Sequence, residues 1–105
     1  MAERSRAQQL VGDIAPKLAE LTDEVLFGDV WNRPGLSRRD RSLITVAALT
    51  ALGRNDQLRS HVGLALDNGI TQEELAEVAT HLAFYAGWPA GMTAATILKS
   101  VVDER

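Results

Sequence analysis

Apolar residues recur along this chain at helical spacing, and no stretch alternates strictly for long enough to make a strand. Leu10, Val11 and Ile14 sit among polar neighbours and suggest a short first helix. Gly12 weakens it, and Pro16, which has no N–H, suits the first turn of a new helix better than the interior of an old one. Leu18, Leu21, Val25 and Leu26 give that second helix one stripe, and Gly28 can end it. Residues 28–36, GDVWNRPGL, read as a loop punctuated by Pro34-Gly35. Ser37 with Asp40 is a short capping signal, and the helix it opens runs to about Leu52. Only Ser42, Thr45 and Thr50 interrupt the apolar residues from Leu43 onward, so this helix is expected to be buried on most sides.

Beyond Gly53 the pattern repeats. Asn55 can cap a helix whose stripe is Leu58, Val62, Ala65 and Leu66, closed by Gly69. Thr71-x-x-Glu74 is a full capping box, followed by Leu75, Val78, Ala79, Leu82 and Ala86, then Gly87. Trp88-Pro89 opens a last helix with Met92, Ala95, Leu98 or Lys99, and Val102 as its expected inner face. The prediction is an all-α fold of five or six helices, a single domain over residues 1–105. Its connections of a few residues favour antiparallel neighbours.

Composition narrows what such a domain can do. A chain of 105 residues buries only a small core, and further burial in an oligomer is plausible. A net charge of -3 argues against a nucleic-acid partner, whose binding domains carry a basic excess. There is no cysteine, which removes disulfides, Cys-ligated metals and thiol catalysis. With two histidines, a multi-His metal site within one chain is not expected, and no metal is assigned. The opening residues, MAERSRAQQLVGD, lack the apolar core of a signal peptide, and no apolar run reaches membrane-spanning length. A cytoplasmic protein without a membrane partner is expected.

Three groups of residues can carry chemistry. His61 lies on or beside its helix's apolar stripe; it is either a core histidine or a general acid or base titrating near neutrality. His81, four residues before Tyr85, is similarly either a partly buried packing residue or a second donor. Arg33 stands in the loop, while Arg38, Arg39 and Arg41 crowd the first turn of the central helix, the wrong end for cations by the helix dipole alone. They either pair with acids such as Asp29 and Asp40, or they hold an anion together with the helix N–H groups. The aromatics Phe27, Trp31, Phe84, Tyr85 and Trp88 either pack or wall a pocket around the arginines.

The runs LFGDVWNRPGLSRRDRSLITVAAL, ALGRNDQLRSHVGLALDNGITQEEL and HLAFYAGWPAGM closely resemble the carboxymuconolactone decarboxylase family, over roughly residues 13–103. The resemblance implies an all-α fold of the alkyl hydroperoxidase D type, whose small subunits assemble into homotrimers or homohexamers. One branch of that superfamily is thiol-dependent, with a Glu, a Cys-x-x-Cys and a His four residues after the second Cys. Laid on this chain, those positions hold Ser42, Arg54, Gln57 and His61, so three of the four groups are missing and the thiol chemistry with them. The other branch decarboxylates 4-carboxymuconolactone to β-ketoadipate enol-lactone in protocatechuate breakdown, without a cofactor. By that resemblance His61, Arg41 and His81 are expected to be catalytic, and Trp31, Arg33, Tyr85 and Trp88 to bind a carboxylate-bearing lactone. The competing expectations are another lyase, isomerase or hydratase with the same pocket, or a non-catalytic oligomeric binding protein.

Overall fold

A computed structural model of the chain describes residues 4–105, and these divide into two units, residues 4–37 and Arg38–Arg105. The first unit begins with α1, Arg6–Val11, capped by Ser5, whose hydroxyl accepts from the Gln8 N–H at 3.0 Å and donates to Asp23 at 2.7 Å. Pro16 starts α2, Pro16–Leu21, as its missing N–H predicts. The chain then widens into a π-helical turn, Thr22–Phe27, and stops at Gly28. A Cβ at Gly28 would lie 2.6 Å from the Glu24 carbonyl oxygen, so a side chain there would break the turn's closure. A 3₁₀ turn, Val30–Asn32, follows inside the stretch expected to be loop. Within this unit Ala19 and Trp31 are buried, while the stripe Leu18, Leu21, Val25 and Leu26 stands exposed.

The second unit holds α3 (Arg38–Leu52), α4 (Asn55–Asp67), α5 (Gln72–Tyr85) and α6 (Trp88–Asp103). Its core joins Val46, Leu58, Val62, Ala65, Ile70, Leu75, Ala79, Ala94, Ile97, Leu98 and Val101. Gly53, Gly69 and Gly87 close α3, α4 and α5 at positive φ, a conformation that costs a residue with a Cβ. Thr71 and Glu74 form the expected capping box, each side chain accepting the other's backbone N–H at 3.0 Å.

Three details differ from the sequence pattern. The central helix α3 is not buried on most sides: Ser42, Val46 and Thr50 are fully buried along one line, whereas Ile44 and Leu52 are exposed. A unit of this size has too few neighbouring elements to enclose an apolar helix all round. In α6 the inner face is Gly91, Ala94, Ile97, Leu98 and Val101, with Val102 packed at its edge; of the expected stripe Leu98 and Val102 turn inward, whereas Met92 and Ala95 face out. The cause is a close helix contact: a Cβ on Gly91 would fall 2.6 Å from the Ala83 Cβ and 2.8 Å from the Ala79 carbonyl oxygen. Only glycine lets α6 approach α5 so closely, and that contact sets the rotation of the helix. Finally, the cap of α4 falls at Arg54, with Asn55 the first helical residue.

One buried polar contact fixes the pairing of α3 with α4. The Ser42 hydroxyl, fully buried, accepts from the Asn68 side-chain amide at 2.9 Å. None of the described helices is long and apolar enough to cross a membrane.

Candidate functional site

The motif loop belongs to the first unit, and its shape follows from its sequence. Asn32 ends the 3₁₀ turn and turns its amide back onto the chain, donating to the carbonyls of Phe27 at 3.2 Å and Gly28 at 3.1 Å. Phe27 and Trp31 stack with centroids 5.6 Å apart and 30° between planes. Trp31 is 5% exposed, so it is a structural anchor of the loop as well as a candidate wall. Arg33 follows in extended backbone, as a residue before proline prefers, and its side chain is exposed.

The remaining candidates belong to the second unit. Arg38, Arg39 and Arg41 occupy the first turn of α3, where backbone N–H groups point toward the same end. Arg39 forms an ion pair with Glu74 of α5. The Glu74 carboxylate is held below its usual range, first by the Thr71 N–H and then by Arg39. For Arg39, therefore, the acid-pairing reading holds. Arg41 is half-buried with its Nε sealed from solvent, and its carbonyl accepts from the Thr45 hydroxyl at 2.7 Å.

His61 is half-buried between the core residues Leu58, Val62 and Ala65 of its own helix, and its Nδ1 is closed off from solvent. Burial lowers its pKa from the ordinary imidazole value, because the charged ring loses hydration. Burial thus favours the neutral ring. The Ser42–Asn68 contact gives its position along α3. His61 lies seven residues before Asn68, two helical turns or roughly 10 Å along α4 from the level of Ser42 and its neighbour Arg41.

His81 and Tyr85 stack one turn apart on α5, with centroids at 4.6 Å and 26° between planes. His81 is exposed, not the partly buried packing residue the sequence suggested, because the α5 stripe that turns inward is Leu75 and Ala79. Phe84 meets Trp88 edge to face at 5.7 Å and 87°. Beside Trp88 runs an apolar groove of about 130 Å³ lined also by Ala79, Thr80, Ala83, Gly91, Met92 and Ala95. Neither histidine nor any arginine lines it. Of the expected site residues, the second unit thus brings His81 and Tyr85 into contact and sets Trp88 on a groove of its own.

Residues 16–100 match the profile of the Carboxymuconolactone decarboxylase family. The chain belongs to this family. It is 39% identical over 100 residues to a 4-carboxymuconolactone decarboxylase from Acinetobacter baylyi, covering 95% of this chain and 75% of that relative. It is 34% identical over 85 residues to a nitrosuccinic acid decarboxylase from Metarhizium robertsii, covering 81% of this chain and 59% of that relative. The two relatives act on different acids by name, so family membership constrains the reaction class more tightly than the substrate.

Within the family's stretch, two structural residues escaped the sequence pattern. Asn32 was hidden in a loop whose only legible signals were Pro, Gly and the aromatics; its place just before Arg33-Pro34 is the clue to a side chain that closes the turn. Ser42 looked like a polar break in an apolar run. It is a buried hydrogen-bond acceptor, held by the Asn68 side-chain amide. A serine hydroxyl satisfied by an amide supports packing and register but carries no charge for acid–base work.

Proposed function

We propose that this chain is a cofactor-independent carboxy-lyase that decarboxylates 4-carboxymuconolactone to β-ketoadipate enol-lactone in aromatic catabolism. The observation that carries this reading is the 39% identity to a protein of that activity over 95% of the chain. The substrate is a five-membered unsaturated lactone bearing two carboxylates. Breaking the bond to the departing CO2 leaves an electron pair, which delocalises through the double bond onto the lactone carbonyl as a dienolate. One proton then returns to carbon, so the step consumes a proton and releases CO2.

The chain's residues would divide this work. Arg41, partly desolvated, anchors the retained carboxylate or the lactone oxygen through its guanidinium fork, where charge develops. His61 delivers the proton to carbon. Burial lowers the His61 pKa, and the dianionic substrate beside the ring would raise it again, so that binding draws in the proton to be delivered. His81 and Tyr85 act as a secondary donor pair. Trp88 at the start of α6 and Trp31 are assigned to the exclusion of water, and Arg33 to a second carboxylate contact; the support for all three is the family motifs that contain them. The same chemistry on a different carboxylate is the second reading, favoured by the named activity of the fungal relative. The chain acts as a cytoplasmic homo-oligomer, a trimer or hexamer, for which the support is the number of large apolar side chains left exposed on one copy.

Incubation with 4-carboxymuconolactone, followed by loss of ultraviolet absorbance and CO2 release, tests the reading. Turnover saturating in substrate is the expected result; no turnover beside active conversion of another carboxylate would move the assignment to the second reading. Arg41→Lys is expected to raise KM about tenfold, since an ammonium cannot reproduce the bidentate fork. An unchanged KM removes Arg41 from the substrate.

A further inference from the structure

Arg33 is exposed, yet the backbone beneath it is held at several points. The Asn32 N–H donates to the Asp29 carbonyl at 3.0 Å, and the Arg33 N–H to the Val30 carbonyl at 3.2 Å. Pro34 then keeps the Arg33 backbone extended, at φ -68° and ψ 143°. The 3₁₀ turn carrying these bonds is itself tied down. The Asn32 side-chain amide spends both its hydrogens on the carbonyls of Phe27 and Gly28, where the π-helical turn ends. That end is fixed in its turn by the stack of Phe27 on the buried Trp31. Asn32 is therefore the link between an anchored turn and the residue that follows it.

We propose that Asn32 is a positioning residue for Arg33: its amide holds the loop in the conformation from which the Arg33 guanidinium reaches a carboxylate of the substrate. The proposal rests on the reading that Arg33 makes that contact. Asn32 does not touch the substrate and acts only through its neighbour. An arginine that merely meets water needs no such footing. A fixed backbone matters where the planar guanidinium must meet a planar carboxylate in one orientation, because freedom removed beforehand is not lost again on binding. The chemistry of the tie selects the residue. Its partners are two carbonyl oxygens, so the position needs two N–H donors on a short stem, which the asparagine side chain supplies. Asn32 is exposed, so its two bonds compete with water and add little to global stability. Their loss is expected to loosen the loop and not to unfold the chain. The competing account is that Asn32 serves only to keep Trp31 packed.

Asn32→Leu keeps the size of the side chain and removes both donors. Turnover of 4-carboxymuconolactone is measured in the full chain for the wild type, Asn32→Leu, Arg33→Ala and the double variant. Arg33→Ala is expected to raise KM about tenfold with kcat nearly unchanged, as loss of a charge-assisted contact made equally in the ground and transition states does. Asn32→Leu is expected to raise KM in the same way by a smaller factor, roughly threefold to fivefold, since it misplaces the contact without removing it. In the double variant KM should equal that of Arg33→Ala alone, because a residue acting through Arg33 then has nothing left to position. Relaxation of ¹⁵N-labelled protein gives a readout independent of turnover. The order parameter of the Arg33 backbone amide should be near ~0.85 in the wild type and fall below about 0.6 in Asn32→Leu.

If the two single effects multiply in the double variant, the proposal is overturned and Asn32 is left as a support for Trp31. A wild-type KM in Asn32→Leu beside a raised one in Arg33→Ala overturns it too, as does an Arg33 amide that stays rigid without the Asn32 donors. A wild-type KM in Arg33→Ala, or no turnover by the wild type, overturns instead the reading beneath the proposal. Should Asn32→Leu fail to fold, Asn32→Asp takes its place in the relaxation measurement: its shape is the same, but it turns acceptors toward the two carbonyls, and the Arg33 order parameter should fall as far.

Discussion

Replacing His61 by alanine is expected to lower turnover of 4-carboxymuconolactone by about 10²–10⁴-fold, the usual contribution of a positioned proton donor. The far-ultraviolet dichroism and the native mass should stay as in the wild type, because His61 is only half-buried and the α4 stripe of Leu58, Val62 and Ala65 remains. The pH dependence makes the test specific. The form that donates is the protonated ring, and burial holds the free enzyme's His61 pKa below the ordinary value. The rate constant kcat/KM, which reports the free enzyme, should therefore fall as pH rises through that lowered pKa. Substrate carboxylates beside the ring favour its charged form, so the descending limb of kcat should lie at higher pH. Coincident limbs, or wild-type turnover in the alanine variant, would remove His61 from the proton step.

The second large effect concerns stability. Gly91→Ala is expected to cost about 1–3 kcal/mol, as overpacking of a tight contact does. The added methyl meets not only the Ala83 side chain at 2.6 Å but the Ala79 carbonyl at 2.8 Å, and backbone cannot swing aside as a flexible side chain can. Urea unfolding should show a lower midpoint with an unchanged slope. Gly35→Ala is the control: nothing lies within 4 Å of a Cβ there, so its midpoint should hardly move. Equal midpoints in the two variants would mean that α5 and α6 separate without cost.

Much of this fold could be read from periodicity because its helices are bounded by residues with local reasons to be there. Pro16 and Pro89 start helices; Gly53, Gly69 and Gly87 end them; Thr71 and Glu74 cap each other. These signals act within a turn of themselves and survive whatever the rest of the chain does. The first half of the α6 face, Met92 and Ala95, was misplaced for the opposite reason. Its rotation is decided by Gly91 meeting Ala79 and Ala83, a contact between two helices that no stripe on one of them encodes. The burial of α3 was overestimated because a count of apolar residues cannot tell how many neighbours will arrive to cover them.

The candidate site was legible by residue type and less so by environment. His61 is half-buried, as its place beside an apolar stripe suggested, and Arg41, read only as one of the cations at the start of α3, is half-buried too. His81 is exposed and stacked on Tyr85, a state that depends on which side of α5 the core occupies. Arg39 was one of three cations in the first turn of α3, and its pairing with Glu74 depends on where α5 arrives, which no local signal encodes.

The two-residue glycine turns after α3 and α5 have a kinetic consequence. They make sequence neighbours into spatial neighbours, so α3 packs on α4 and α5 on α6 with short loops to close. Helical hairpins of this kind have low contact order, and chains built from them fold within microseconds to milliseconds. The pairing of α3 and α4 is settled by Ser42 and Asn68, at the end of the hairpin far from Gly53. That hydrogen bond can form only after the helices have zipped along their length, so substitution of Asn68 should speed unfolding while leaving the folding rate nearly unchanged.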